Sequence, residues 1–393
     1  MNRHILHIEV QEFLKNYGSK DPLDLAFKKQ FFEHIENKEL IDQLIAKKKS
    51  KNKLPSWHRH SNIYYPTPLS IEQTSSEITA AYKASLINGA SVIDITGGFG
   101  VDAFYMAKKV DTLIHCEQQK QLSEIAVHNF EQLQANNVSC VATDGIQYLK
   151  DTKSHFSWIY VDPARRDDNQ QKVFFLADCI PNIPELISLL FEKADNILIK
   201  TSPLLDISIG LKELQYVQEI HIVAVKNEVK ELLWILNKEQ VSAVDLIAVN
   251  LDSDQPIYKT TLPLPEVVID FAEPMQYLFE PNAAILKSGA FKNIAEAFTL
   301  KKLHQHTHLY TSNSKINFPG RMFKVVAVQS FNKKKIKSLY KGAKANVSCR
   351  NFPENPDTIK KSFGIKDGGD TYLFFTTVHD NNKVVIECIK AAY

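Results

Sequence analysis

The stretch Asp94-Ile95-Thr96-Gly97-Gly98-Phe99-Gly100 places a carboxylate, a hydroxyl and three glycines together. Glycines let a chain turn sharply and let its N–H groups approach a ligand closely. The continuation Gly98-Phe99-Gly100-Val101-Asp102-Ala103 also fits the dinucleotide pattern G-x-G-x-x-A. Glu117 stands 19 residues beyond Gly98, where a carboxylate can accept from two ribose hydroxyls. That spacing suits a nicotinamide site or an S-adenosylmethionine (SAM) site equally. Thr143-Asp144-Gly145 separates the two. An aspartate there can accept from an adenine amino group while the next N–H reads the ring, a task that only the SAM reading sets. Asp94 also suits a sulfonium and an amino group, whereas it would repel a pyrophosphate. The expected cofactor is SAM, held by Asp94, Thr96, Gly97, Gly98, Gly100, Glu117, Asp144 and Gly145. A nicotinamide-dependent oxidoreductase on the same loop is the alternative, and it lacks a Tyr/Lys or His/Asp pair placed by motif.

A second group of residues addresses the methyl acceptor. Methyl transfer is an in-line displacement that needs alignment and handling of a proton more than strong catalytic groups. In Val161-Asp162-Pro163-Ala164-Arg165-Arg166-Asp167-Asp168, Pro163 stiffens the turn and Asp162 can accept from an exocyclic amine. Arg165 or Arg166 can hold a base edge or a phosphate, or pair with Asp167 and Asp168. Asp162, Pro163 and Arg165 are the expected catalytic set. Some enzymes that methylate pyrimidine C5 carry a cysteine nucleophile before proline after the next strand. Here Lys200-Thr201-Ser202-Pro203 offers a serine, which favours a nitrogen or oxygen acceptor, with Cys179 left open as a substitute.

These residues fall just after apolar runs. Ser91–Ile95, Thr112–Cys116, Val138–Ala142, Trp158–Val161, Asn196–Ile199, Ile220–Val225 and Leu246–Asn250 read as strands, with helical patterns at 101–109, 120–135 and 184–193 between them. Such alternation implies a parallel sheet with ligands bound beyond its carboxyl ends. Residues 1–60 read as short amphipathic helices, Pro55 to Pro68 as an extended connection, and Thr74-Ser75-Ser76-Glu77 as a capping box. That box opens a helix with Ile78, Ala81, Tyr82 and Leu86 as its apolar stripe. Tyr372–Thr377 and Val384–Ile389 read as strands near the C-terminus.

Composition sets the frame. The 393 residues are 44% hydrophobic and 23% charged, enough for a large core. No signal-peptide pattern and no long apolar run is present, so a cytoplasmic location without membrane contact is expected. Five cysteines without a C-x-x-C pair point to reduced thiols. Net charge is +2, yet residues 301–393 carry 17 Lys+Arg against 6 Asp+Glu. Clustered cations with interleaved aromatics, as in Lys333-Lys334-Lys335-Ile336-Lys337-Ser338-Leu339-Tyr340, suit RNA as a partner. His304, His306 and His308 would share one face of a strand, but no nearby Cys, Asp or Glu completes a metal site and no metal is expected. Oligomeric state is not legible.

Pro68-Leu69-Ser70-Ile71-Glu72-Gln73-Thr74-Ser75-Ser76-Glu77, the glycine loop and Asp162-Pro163-Ala164-Arg165-Arg166 together resemble a bacterial group of class I SAM-dependent methyltransferases with a C-terminal THUMP-like domain. The catalytic half is also similar to RNA cap guanine-N2 methyltransferases, which carry Asp-Pro-Pro-Trp where this chain has Asp-Pro-Ala-Arg. The resemblance implies an α/β fold: a Rossmann-like seven-stranded sheet, an N-terminal helical segment and a smaller C-terminal α+β THUMP-like domain. The expected boundaries are 1–65 helical, 66–255 methyltransferase, 275–318 a ferredoxin-like or linking unit, and 319–393 THUMP-like and basic. It also implies that Gln73 and Ser76 lie near the cofactor. The function expected is SAM-dependent methylation of tRNA or rRNA at a base nitrogen. A non-catalytic RNA-binding protein on a degenerate cofactor fold is a further alternative, which the intact acids oppose.

Overall fold

A computed structural model describes residues 1–165, 175–239 and 241–391. Contacts divide the chain into two compact units, Met1–Gln218 with Leu232–Val241, and Glu219–Glu231 with Ser242–Tyr393.

The first unit begins with helices α1 (Ile8–Tyr17), α2 (Asn37–Lys53), α3 (Pro55–Arg59), α4 (Pro68–Gln73) and α5 (Glu77–Ser85). Pro55 and Pro68 each open a helix, where the missing N–H costs nothing. The segment expected to be extended from Pro55 therefore starts as a helical turn. The capping box is also displaced. Ser76, not Thr74, caps α5, and Thr74 closes α4. The Glu77 carboxylate instead accepts from the N–H (2.6 Å) and hydroxyl (2.5 Å) of Ser56, stapling α3 to α5. Fully buried Trp57 packs on Phe99 of the glycine loop, with ring centroids 4.8 Å apart.

The sheet elements follow in order: β1 (Ser91–Asp94), α6 (Val101–Ala107), β2 (Thr112–Cys116), α7 (Lys120–Gln132), β3 (Val138–Val141), α8 (Gly145–Asp151), β4 (Phe156–Val161), β5 (Ala164–Arg165), β6 (Cys179–Ile180), α9 (Ile183–Lys193), β7 (Ala194–Thr201), α10 (Ile207–Glu213), β8 (Val217–Val225), β9 (Glu228–Asn237), β10 (Val244–Leu251) and β11 (Tyr258–Leu262). In the first unit the strands run β3-β2-β1-β4-β7-β9, and in the second β8, β10 and β11 lie side by side, so the seven strands read from the sequence are supplemented by β9 and β11. Neighbours among β1, β2, β3, β4 and β7 are parallel, and β9 is antiparallel to β7. Sequence reading missed β9. Its entry turn, Lys226-Asn227, takes positive φ at both residues (50° and 66°) without a glycine to announce it.

In the second unit, β12 (Tyr277–Pro281), α11 (Ala283–Ser288), α12 (Asn293–Ala297), β13 (Lys301–His304), β14 (Thr307–Ser312), β15 (Gly320–Ser330), α13 (Lys333–Tyr340), β16 (Asn346–Arg350), α14 (Pro356–Phe363), β17 (Thr371–Thr377) and β18 (Lys383–Lys390) build a sheet of order β13-β14-β12-β15-β18-β17-β16. Alternation along β17 feeds two cores. Leu373 and Phe375 pack with Ile336, Tyr340, Ile359 and Phe363 of α13 and α14, while Phe374 packs with Leu278, Phe323 and Ile386. The three histidines do not share a strand face, because a turn separates β13 from β14. His304 meets Asn381 (3.1 Å) and His308 stacks on Phe291. Among the described residues no helix is long and apolar enough to cross a membrane, and no group of three His, Cys, Asp or Glu could hold a metal ion.

Candidate cofactor and methyl-transfer site

Parallel register brings the polar residues together. Asp94 on β1 lies opposite His115 on β2 and Tyr160 on β4. Beyond this row opens a cavity of about 350 Å³, within the usual range for ligand sites, lined by Gln73, Asp94, Thr96, the glycine loop, Glu117, Asp144, Gly145 and Asp162.

Thr96 ties the first strand end to the fourth. Its N–H (3.0 Å) and hydroxyl (3.3 Å) donate to one Asp94 oxygen, and the same hydroxyl accepts from the Asp162 N–H at 2.8 Å. The Glu117 carboxylate accepts from the N–H groups of Gly98 (2.8 Å) and Gln119 (2.7 Å). Gly100, at φ +86°, ends the loop and caps α6. A Cβ on Gly97 would lie 2.5 Å from the Cys116 carbonyl oxygen and 2.7 Å from the His115 ring, so only glycine fits there. His115 is fully buried under this loop, edge-to-face with Phe130, and burial pushes its pKa down to about 4.

Asp94 is 1% exposed. Burial, with the charges of Asp102 and Asp162 adding to it, pushes its pKa up to about 8 against the Thr96 donors. Asp102, in the first turn of α6, behaves oppositely. Burial would raise it, but Lys83 and Lys200, with donors from Ser75 and Tyr160, hold its pKa below the ordinary value. Lys83 is fully buried and lies 3.2 Å from Asp102, which also accepts from the Ser75 and Tyr160 hydroxyls, both at 2.8 Å. Sequence reading missed this network. The buried stripe of α5 is Thr79, Ala80, Lys83 and Ala84 rather than Ile78, Ala81, Tyr82 and Leu86, because Lys83 must face Asp102. No local signal marks it, since a helical lysine ordinarily faces water.

Other expected residues take mixed positions. Gln73 lines the cavity, whereas Ser76 caps α5 by accepting from the Thr79 N–H and its neighbour Ser75 lines the cavity instead. Asp144 lines the cavity and also caps α8, accepting from the Gln147 N–H at 2.9 Å. Pro163 leads into β5, which pairs with β6. The Arg165 side chain, together with Arg166, Asp167 and Asp168, lies outside the described residues. Cys179 is buried in β6, does not line the cavity, and its thiol donates to the Phe175 carbonyl at 3.6 Å. The Ser202 hydroxyl accepts from the Leu204 N–H, forming a local turn.

The electrostatics select among cofactors. A pyrophosphate at the start of α6 would meet the carboxylates of Asp94, Asp102 and Glu117, and Glu117 already engages the Gly98 N–H. A cation carrying a ribose and a base fits the same surroundings, since Asp94 can balance its charge and Glu117 can accept from hydroxyls. Strand order and site together define a class I SAM-dependent methyltransferase.

Residues 31–170 match the model of the protein-L-isoaspartate(D-aspartate) O-methyltransferase family, 277–319 a ferredoxin-like domain and 320–390 a THUMP domain-like family. The crystal structure of a candidate methyltransferase from Porphyromonas gingivalis W83 is 33% identical, covers 100% of this chain and 99% of that one, and superposes with a TM-score of 0.90. An uncharacterized RNA methyltransferase of Mycoplasma mobile is 34% identical over 76 residues, which is 19% of this chain and only 21% of that relative. The chain belongs to the family of the Porphyromonas protein, and in this chain the methyltransferase fold is followed by ferredoxin-like and THUMP-like domains. The likeness to cap guanine-N2 enzymes rests on motifs alone.

Proposed function

We propose that this protein methylates RNA at a base nitrogen. The observation that carries the reading is the Asp162 carboxylate, 38% exposed at the cavity wall and ion-paired with Lys200 from the next strand end. Such a group orients an amine and takes its proton, while the cysteine that C5 chemistry needs is not supplied by Cys179. When bound, SAM supplies an electrophilic methyl on its sulfonium. Asp94 would balance that charge, Glu117 would accept from the ribose, and Asp144 with the Gly145 N–H would read the adenine. Gln73 would close one edge, Thr96 with Gly97, Gly98 and Gly100 would shape the floor, and Pro163 would fix the turn that presents Asp162. Arg165 would contact a phosphate or base edge.

RNA is supported by the net charge of +11 on residues 301–393, by the THUMP-like match, and by the short likeness to the Mycoplasma RNA methyltransferase. Mass spectrometry of nucleosides from total RNA, with and without the gene, tests the reading. Loss of one base-methylated nucleoside is expected, and an unchanged profile overturns it.

A further inference from the structure

We infer that Lys200 is a positioning residue for methyl transfer, fixing the Asp162 carboxylate that receives the acceptor's proton; the inference rests on Asp162 acting at the acceptor. The sheet dictates the pairing. Val161 on β4 lies opposite Ile199 on β7, so Asp162 and Lys200 are the next facing positions, just past the end of β4. The Lys200 side chain is 15% exposed against 38% for Asp162, so the lysine is the more buried member of the pair and Asp162 the one at the cavity. Lys200 itself does not line the cavity.

Charge explains why a lysine is needed there. Asp94, Asp102 and Asp162 surround one cavity. Asp102 has Lys83 and two hydroxyl donors in contact, with the charge of Lys200 acting on it as well. The main-chain N–H of Asp162 is committed to Thr96, so its side chain draws its cation from Lys200. An ion pair limits the rotation of the carboxylate, and alignment at this level decides rate. The step balances without another reagent. The acceptor nitrogen forms a bond to the methyl carbon, the C–S electron pair stays on sulfur, and the nitrogen's proton passes to Asp162.

The test uses the full-length protein, labelled SAM and an extract of a strain lacking the gene, with label recovered separately in RNA, protein and small-molecule fractions. Lys200→Ala is expected to keep the SAM dissociation constant within about threefold by calorimetry and to lose about 100-fold in kcat, the scale of a misplaced reacting group. Lys200→Arg and added ethylammonium should each restore part of the Lys200→Ala loss, which a purely structural role would not allow. A Lys200→Ala kcat within threefold of the parent overturns the inference, as does a loss of kcat that neither the arginine variant nor the amine recovers. Label in protein or small molecules alone overturns the RNA reading, and the Lys200 effect is then read in that fraction. Label in no fraction overturns both.

Discussion

Asp94 is the residue whose chemistry differs most from its appearance in the sequence. A carboxylate before a glycine loop reads as an anion, yet at 1% exposure its pKa rises from 3.8 to about 8. An acid with a raised folded-state pKa stabilises the fold fully below its unfolded value, and that contribution is lost as pH rises towards about 8. A cationic ligand needs the anion, so binding must release this proton at neutral pH. SAM affinity should therefore rise with pH from 6 to about 8 and then level off. Asp94→Asn should bind on the order of 1–3 kcal/mol more weakly and lose that pH dependence, as calorimetry across the range would reveal. Position was legible here because glycines and strand ends mark it. The protonation state was not, because it depends first on burial by the packed fold and then on the charges of Asp102 and Asp162.

Elements carry the parts of the site that the sequence concealed. A lysine ordinarily faces water, so Lys83 on α5 and Lys200 near the end of β7 gave no local sign of the carboxylates they meet. Glu77 looked like the partner of a cap, but α5 starts later and the carboxylate holds Ser56. β9 was hidden by charged residues at its start, although Trp234 within it is fully buried and donates to Thr201. By contrast, β1, β2 and β3 were legible to within a residue, because apolar runs bounded by turn residues specify them. The Lys83–Asp102 pair makes a quantitative expectation at this scale. Lys83→Met leaves a buried carboxylate without its nearest cation and should cost about 3–5 kcal/mol in urea unfolding. The double variant Lys83→Met/Asp102→Leu should recover part of this loss, since the unpaired charge is gone. Additive losses would show that the pair does not act as a unit.

At the scale of the whole molecule, charge divides the chain more sharply than composition suggests, at −9 for residues 1–300 and +11 for 301–393. The exposed lysines of α13 are candidates for phosphate contact, as its buried side is Ile336 and Tyr340. Replacing Lys334, Lys335 and Lys337 with glutamate should weaken RNA binding and reduce the slope of log affinity against log salt by about 2. SAM affinity should stay unchanged, and an unaltered salt slope would move the RNA surface elsewhere. The division into two units has a different consequence, for synthesis. The chain enters the second unit at Glu219, returns at Leu232 and leaves again at Ser242. β8 thus emerges from the ribosome before β10, its parallel partner from Glu219↔Asp245 to Val225↔Leu251. During translation that apolar edge has no β10 to pair with, so it is open to aggregation until Leu251 has been made. For the same reason, a break in the chain at Ser242 would strip β8 of this partner and would not release a finished N-terminal half.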